Sequence, residues 1–148
     1  MKAVVNGKIV LKNGVLENKV IVFDKKIIDI CDEVPTNCEI IDAKENYVCP
    51  GLIDIHIHGC KGFDAMDEDE NAVEIISKGL AETGVTSFLP TTMTMSPERI
   101  YKAFDNIIKA KNKSIKGAKV LGAHMEGPFI NEKYKALLTE LKQKYGMI

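Results

Sequence analysis

The chain has 148 residues, 45% of them hydrophobic and 28% charged, with 20 basic and 21 acidic side chains and a net charge of −1. This composition excludes the disordered and collagen-like classes, and a domain of this length buries about 68–70% of its unfolded surface without a disulfide or structural metal. Arg99 is the only arginine; no guanidinium cluster can grip phosphates, so nucleic acid is not an expected partner. The lysines from Lys109 to Lys116 read as the solvated end of a helix.

Cys31, Cys38, Cys49 and Cys60 have no CxxC spacing, the first residues lack the apolar core of a secretory leader, and a charge or glycine interrupts every apolar run. A soluble, reduced, cytoplasmic protein with no membrane partner is expected.

Residues 1–50 are short apolar alternations separated by turn residues: Val4-Val5, Lys8 to Leu11, Val20 to Phe23, Ile27 to Ile30 and Glu39 to Asp42. Asn6-Gly7 and Asn13-Gly14 both suit tight hairpins because they accept positive φ. The reading is a small antiparallel β module, part of a β-sandwich, interrupted at Pro35-Thr36-Asn37.

After Pro50-Gly51 strands alternate with helical stretches, the signature of βα units on a parallel sheet. The spacing predicts strands over Leu52 to His58, Val85 to Leu89 and Lys119 to His124. Between them fall a helix carrying Val73, Ile76 and Leu80, led by the acidic run Asp67 to Glu70 and stopped at Gly84, and a second helix. The second is started by a Ser96 cap and Pro97, with Ile100, Tyr101, Phe104, Ile107 and Ile108 on one face. Leu137, Leu138, Leu141 and Tyr145 predict a further amphipathic helix in the tail.

In Ile53-Asp54-Ile55-His56-Ile57-His58 residues two apart share a face, so the isoleucines point one way and Asp54, His56 and His58 the other. Buried parallel strands usually read as continuous apolar runs, and two imidazoles at a strand's carboxyl end suit Zn, Fe or Mn. The pair alone reads equally well as hydrogen-bonded loop residues. Gly59 and Gly62 behind it let the backbone turn away. His124-Met125-Glu126-Gly127-Pro128 places His124 and Glu126 on one face at the end of the third strand. If both strand ends meet at a common mouth, His56, His58 and Glu126 offer two nitrogens and a carboxylate to a metal; otherwise Glu126 is a surface or capping carboxylate. Cys60 reads as an ordinary thiol rather than a ligand.

P-G-L-I-D-I-H-I-H-G over residues 50–59, F-L-P-T-T over 88–92 and H-M-E-G-P-F over 124–129, taken together, resemble the amidohydrolase superfamily and, within it, the N-acetylglucosamine-6-phosphate deacetylase family. The resemblance runs from the N-terminus to about Asn131. It implies a metal-dependent (β/α)8 barrel with a small β-sandwich, hydrolysing the acetamide of an amino-sugar phosphate. It also implies one or two divalent ions (Zn, Fe, Mn or Co) and a homo-oligomer at full length. Glu126 matches the family's metal-binding glutamate, and His56 and His58 match the pair that holds a second metal where one is present. An H-x-E-G-P segment argues against a dihydroorotase or adenine deaminase type.

A complete barrel needs about 250 residues, and this sequence supplies three βα-type units. The fold class is therefore α/β, a partial (β/α)8 barrel over residues 51–148 preceded by the β module over 1–50, with 132–148 an unaligned tail. That tail would follow from a premature stop or a shifted reading frame. Two further metal-binding histidines, the acid–base aspartate and most substrate contacts are expected elsewhere, so an N-terminal portion of this kind is expected to be inactive alone. An open strand edge with uncovered apolar surface predicts self-association. The alternative is a non-catalytic metal-binding or interaction protein that pairs through this edge and the Leu137, Leu138 and Leu141 face.

Overall fold

The computed structural model describes residues 1–113, 115–127 and 143–144. The tail helix expected between Tyr134 and Tyr145 lies outside these, apart from Gln143 and Lys144. The chain divides into two compact units, Met1–Pro50 and Gly51–Ile148.

The first unit contains β1 (Lys2–Val5), β2 (Lys8–Leu11), β3 (Gly14–Leu16), β4 (Val20–Phe23), β5 (Ile27–Cys31), β6 (Glu39–Asp42) and β7 (Tyr47–Val48). They form one sheet in the order β5-β4-β1-β6 and a second in the order β3-β2-β7. The antiparallel module expected from the sequence is in fact mixed: β1 pairs with β4 antiparallel but with β6 parallel, and β2 pairs with β3 antiparallel but with β7 parallel. Asn13-Gly14 lies in a hairpin, with Leu11 opposite Gly14. Asn6-Gly7 does not make one. Asn6 takes a φ of 53° and passes the chain from the first sheet to the second, so β1 and β2 never face each other. The segment carrying β6 and β7 then follows β1 and β2 in the same direction, and parallel pairing results. Such pairing requires a long crossover, which β3 to β5 provide.

Ala3, Val20 and Val22 form the buried cluster of this unit, with Cys31 and Cys38 packed against it. On the other side lies an apolar cleft of about 400 Å³ lined by residues such as Val4, Ile9, Leu11, Ile21 and Phe23.

The second unit contains β8 (Leu52–Ile57), β9 (Gly59–Cys60), β10 (Phe63–Asp64), α1 (Ala72–Ala81), β11 (Val85–Thr92), α2 (Pro97–Asn112), β12 (Lys119–Val120) and β13 (His124–Met125). β11 is parallel to β8, β12 and β13. The expected third strand is thus two short ones: it pairs at Lys119–Val120, bends through Leu121 to Ala123, and pairs again at His124–Met125. Leu121 N–H still donates to the Phe88 carbonyl across the break.

Val73, Ile76 and Leu80 of α1 pack with Ile100, Phe104 and Ile107 of α2 around Phe88 and Val120. Ile108 departs from the expected apolar face. It is exposed, at 36%, because the stripe formed by Ile100, Ala103, Phe104, Ile107 and Ala110 leaves it at the edge. Asn106 is buried, and its amide donates to the carbonyls of Asp67 and Glu68. The acidic run precedes α1 instead of forming its first turn: Asp69 accepts from the Asn71 N–H, and Glu70 pairs with Lys109. Ser96 makes no side-chain cap bond, and the preset φ of Pro97 starts α2.

Among the described residues β8 has one strand neighbour, β11. Ile53 and Ile55 on it are 61% and 66% exposed, while Ile57 packs against the core. No helix among the described residues is long and apolar enough to cross a membrane.

Candidate metal centre

β8 and β13 both end at the same edge of the second unit, because both run parallel to β11 and pair near its end: Pro90 lies opposite Ile57, and Thr91 opposite His124. That shared direction carries three side chains to one point. His56 Nε2 lies 3.4 Å from His58 Nε2, and Glu126 Oε2 lies 3.4 Å from the first and 2.9 Å from the second. The three groups are a third to a half exposed, so the cluster is open to solvent on one side. Among the described residues this is the set of His, Cys, Asp and Glu groups that could hold a metal ion.

The local backbone explains the convergence. The His56 N–H donates to the Asp54 carboxylate two residues earlier, at the point where the β8–β11 ladder shifts register. Ile57 N–H donates to the hydroxyl oxygen of Thr91 at 3.0 Å, and Thr91 is fully buried. Past His58 the chain turns back as β9 and β10; a Cβ at Gly59 would run into the Phe63 carbonyl oxygen, so only glycine fits. Gly127, at φ +75°, turns the chain after Glu126.

His58 Nδ1 lies 3.2 Å from the Thr91 carbonyl oxygen. A carbonyl only accepts, so Nδ1 carries a proton and donates it to Thr91, which leaves Nε2 facing the Glu126 carboxylate. Two electron-rich atoms 2.9 Å apart, with the His56 nitrogen beside them, repel unless a proton or a metal ion lies between them. Metal-bound histidines characteristically donate their second nitrogen to a carbonyl or carboxylate, as His58 does here.

The spacing fits an ion. Two ligands held at about 2.0–2.1 Å lie roughly 3.3–3.4 Å apart around a tetrahedral ion and roughly 2.9 Å apart around an octahedral one. The observed 2.9–3.4 Å spans both, and two imidazoles with one carboxylate suit Zn, Fe, Mn or Co alike.

The structure therefore brings together all three residues singled out from the sequence, His56, His58 and Glu126. Cys60 stands apart, packed against the core beneath α1 with its sulfur toward Gly79. Sequence reasoning missed the part played by Thr91, whose hydroxyl and carbonyl both hold the H-x-H segment: the expected strand stopped at Leu89, whereas β11 runs on to Thr92, and Thr91 figured only within the F-L-P-T-T motif. It also left His124 without a task. That ring packs edge-on against His56, with centroids 4.6 Å apart.

Fold and centre define a class before any single protein. The amidohydrolase family matches residues 47–146, and the chain belongs to that family. It is 39% identical over 137 residues to an N-acetylglucosamine-6-phosphate deacetylase of Bacillus subtilis strain 168, covering 88% of this chain and 34% of that protein. To the protein of the same name from Vibrio furnissii it is 42% identical over 86 residues, covering 58% and 22%. The crystal structure of the Pasteurella multocida N-acetylglucosamine-6-phosphate deacetylase superposes with a TM-score of 0.82 at 30% identity, covering 96% of this chain and 41% of that one. The chain thus spans about a third or less of the length of these curated relatives.

Proposed function

We propose that residues 51–127 are the first three strands of a (β/α)8 hydrolase barrel and carry one part of a metal site whose reaction is deacetylation of N-acetylglucosamine-6-phosphate. Water cleaves the acetamide, giving glucosamine-6-phosphate and acetate. The observation that carries this reading is the meeting of His56 Nε2, His58 Nε2 and Glu126 Oε2 at ligand spacing, in a chain whose relatives bear that activity in their names.

In this reading the two imidazoles and the carboxylate hold one or two divalent ions, and Thr91 fixes the orientation of His58. A divalent ion bound there lowers the pKa of water and polarises the acetyl carbonyl. The acid–base group that moves a proton to the leaving amine is an aspartate outside these 148 residues, by resemblance to the family, as are two further metal-binding histidines. The chain alone therefore binds metal without turning over substrate. A reducing, cytoplasmic setting is supported by four free cysteines, and assembly into a homo-oligomer belongs to the same proposal.

The test pairs two measurements on the purified chain: calorimetric binding of Zn²⁺, and acetate release from N-acetylglucosamine-6-phosphate, each beside a His56→Ala, Glu126→Ala double variant. Binding by the wild type only, with acetate release at background, supports the reading. Equal binding by both chains sinks the metal centre, and turnover by the wild type alone at an ordinary enzymatic rate overturns its inactivity. The exposed Ile53 and Ile55 on β8 favour a second reading, a non-catalytic interaction protein, which a sharp thermal transition and a defined oligomer would support.

A further inference from the structure

We propose that His124 is a positioning residue: it ties β13 to β8 and holds the His56 ring so that His56 and Glu126 reach one metal ion. The proposal rests on the metal-centre reading above and adds a residue to it.

His124 Nδ1 lies 3.1 Å from the Ile55 carbonyl oxygen, across 69 residues of sequence. Since a carbonyl only accepts, His124 Nδ1 is the donor. The link joins two strands that do not pair: β8 and β13 each pair with β11, and strands separated by a third lie roughly 9–10 Å apart in a flat sheet. A single imidazole bridges them on the face that also carries the His56 ring.

The site of the link has its own cause. The β8–β11 ladder shifts register between Phe88, opposite Asp54, and Pro90, opposite Ile57. Pro90 has no N–H to give, and at this level of β8 the Ile55 carbonyl takes its hydrogen bond from His124 instead.

The same ring stands at 84° to that of His56 with centroids 4.6 Å apart, and His56 in turn stands edge-on to His58 at 5.2 Å. Packing from one side thus restricts rotation of the His56 ring, whose Nε2 must point at Glu126. His124 itself is outside the set whose ligand atoms cluster. Its two contacts are separable by substitution: asparagine keeps a donor near the position of Nδ1 and loses the ring, whereas phenylalanine keeps the ring and loses the donor.

The experiment is Co²⁺ titration of the 148-residue chain and its variants, read by the visible absorption band and by calorimetry, with circular dichroism recorded on each. His124→Ala is expected to weaken Co²⁺ binding about 10–100-fold, to alter the band, and to leave the stoichiometry unchanged. His124→Asn and His124→Phe are each expected to restore part of the affinity and of the wild-type band. If His124→Ala does not fold, these two variants decide. Wild-type affinity and band in the folded His124 variants, beside clear loss in His56→Ala, overturn the positioning role while leaving the metal centre standing. A changed stoichiometry in His124→Ala also overturns it, because His124 would then be a ligand. Wild type and His56→Ala binding alike is the separate failure of the metal-centre reading.

Discussion

The imidazole of His58 donates from Nδ1 to the carbonyl oxygen of Thr91 at 3.2 Å. That bond settles which nitrogen of His58 faces Glu126, and it joins the carboxyl end of β8 to the end of β11. Thr91 adds a second hold through its hydroxyl, which accepts from the Ile57 N–H and is itself 3.3 Å from the Leu89 carbonyl oxygen.

Thr91→Val keeps the shape of the side chain and removes the acceptor. The Ile57 N–H is then left without its partner beside a buried residue, at a cost of about 1–3 kcal/mol. Urea unfolding is expected to show a lower midpoint with an unchanged slope, and Thr91→Ser is expected to recover most of the loss. An unchanged midpoint in the valine variant contradicts the role of the hydroxyl.

Phe88 is fully buried among α1, α2 and the sheet. Phe88→Ala is expected to cost about 3–5 kcal/mol, a large share of the roughly 5–15 kcal/mol that holds a domain folded. Loss of near-ultraviolet circular dichroism or a greatly lowered urea midpoint checks this. Stability within about 1 kcal/mol of wild type would mean that the site collapses around the smaller side chain.

Glu70 and Glu74 hold the start of α1 near α2 through lysines. The hydrogen bond from Lys109 keeps the Glu70 carboxyl below the ordinary glutamate range, and that from Lys78, aided by the charge of Lys113, does the same for Glu74. A lowered folded-state pKa stabilises the fold above the ordinary glutamate value, and this contribution is lost as pH falls through the lowered value. Glu70 is exposed and Glu74 partly so, so the effect is small and screened by salt. In acid titrations followed by circular dichroism, a Glu70→Gln, Glu74→Gln variant is expected to lose less stability than wild type over that interval, and the difference is expected to shrink in high salt. A wild type no more acid-sensitive than the variant counts against it.

Ile53 and Ile55 lie exposed on β8, a strand with one described neighbour. An apolar edge of this kind pairs with other chains. Sedimentation velocity is expected to show concentration-dependent association of the wild type, reduced in an Ile53→Lys, Ile55→Lys variant. A wild type that sediments as a monomer at every concentration removes the expectation.

Much of the second unit was legible because its signals are local. Alternation in Ile53 to His58 assigns β8 a polar face, the spacing of Val73, Ile76 and Leu80 assigns α1, and Pro97 marks where α2 begins. The first unit was less legible. Asn6-Gly7 carries the same turn signal as Asn13-Gly14, yet only the latter closes a hairpin, since a turn dipeptide states that the chain bends and not which strand it then meets. The burial of Asn106 was hidden for a related reason: it answers to partners distant in sequence, the carbonyls of Asp67 and Glu68.

By itself the sequence determined which residue types sit at strand ends, two imidazoles and a carboxylate, and the βα rhythm that sets those strands running the same way. These follow from side-chain chemistry and from periods of two and 3.6 residues, which act over a few positions. Only the tertiary structure decided that the three groups meet within 3.4 Å, that Thr91 orients His58, and that His124 spans from β13 to β8. Those relationships depend on the register in which β8 and β13 pair with β11, which is set between residues far apart in the chain.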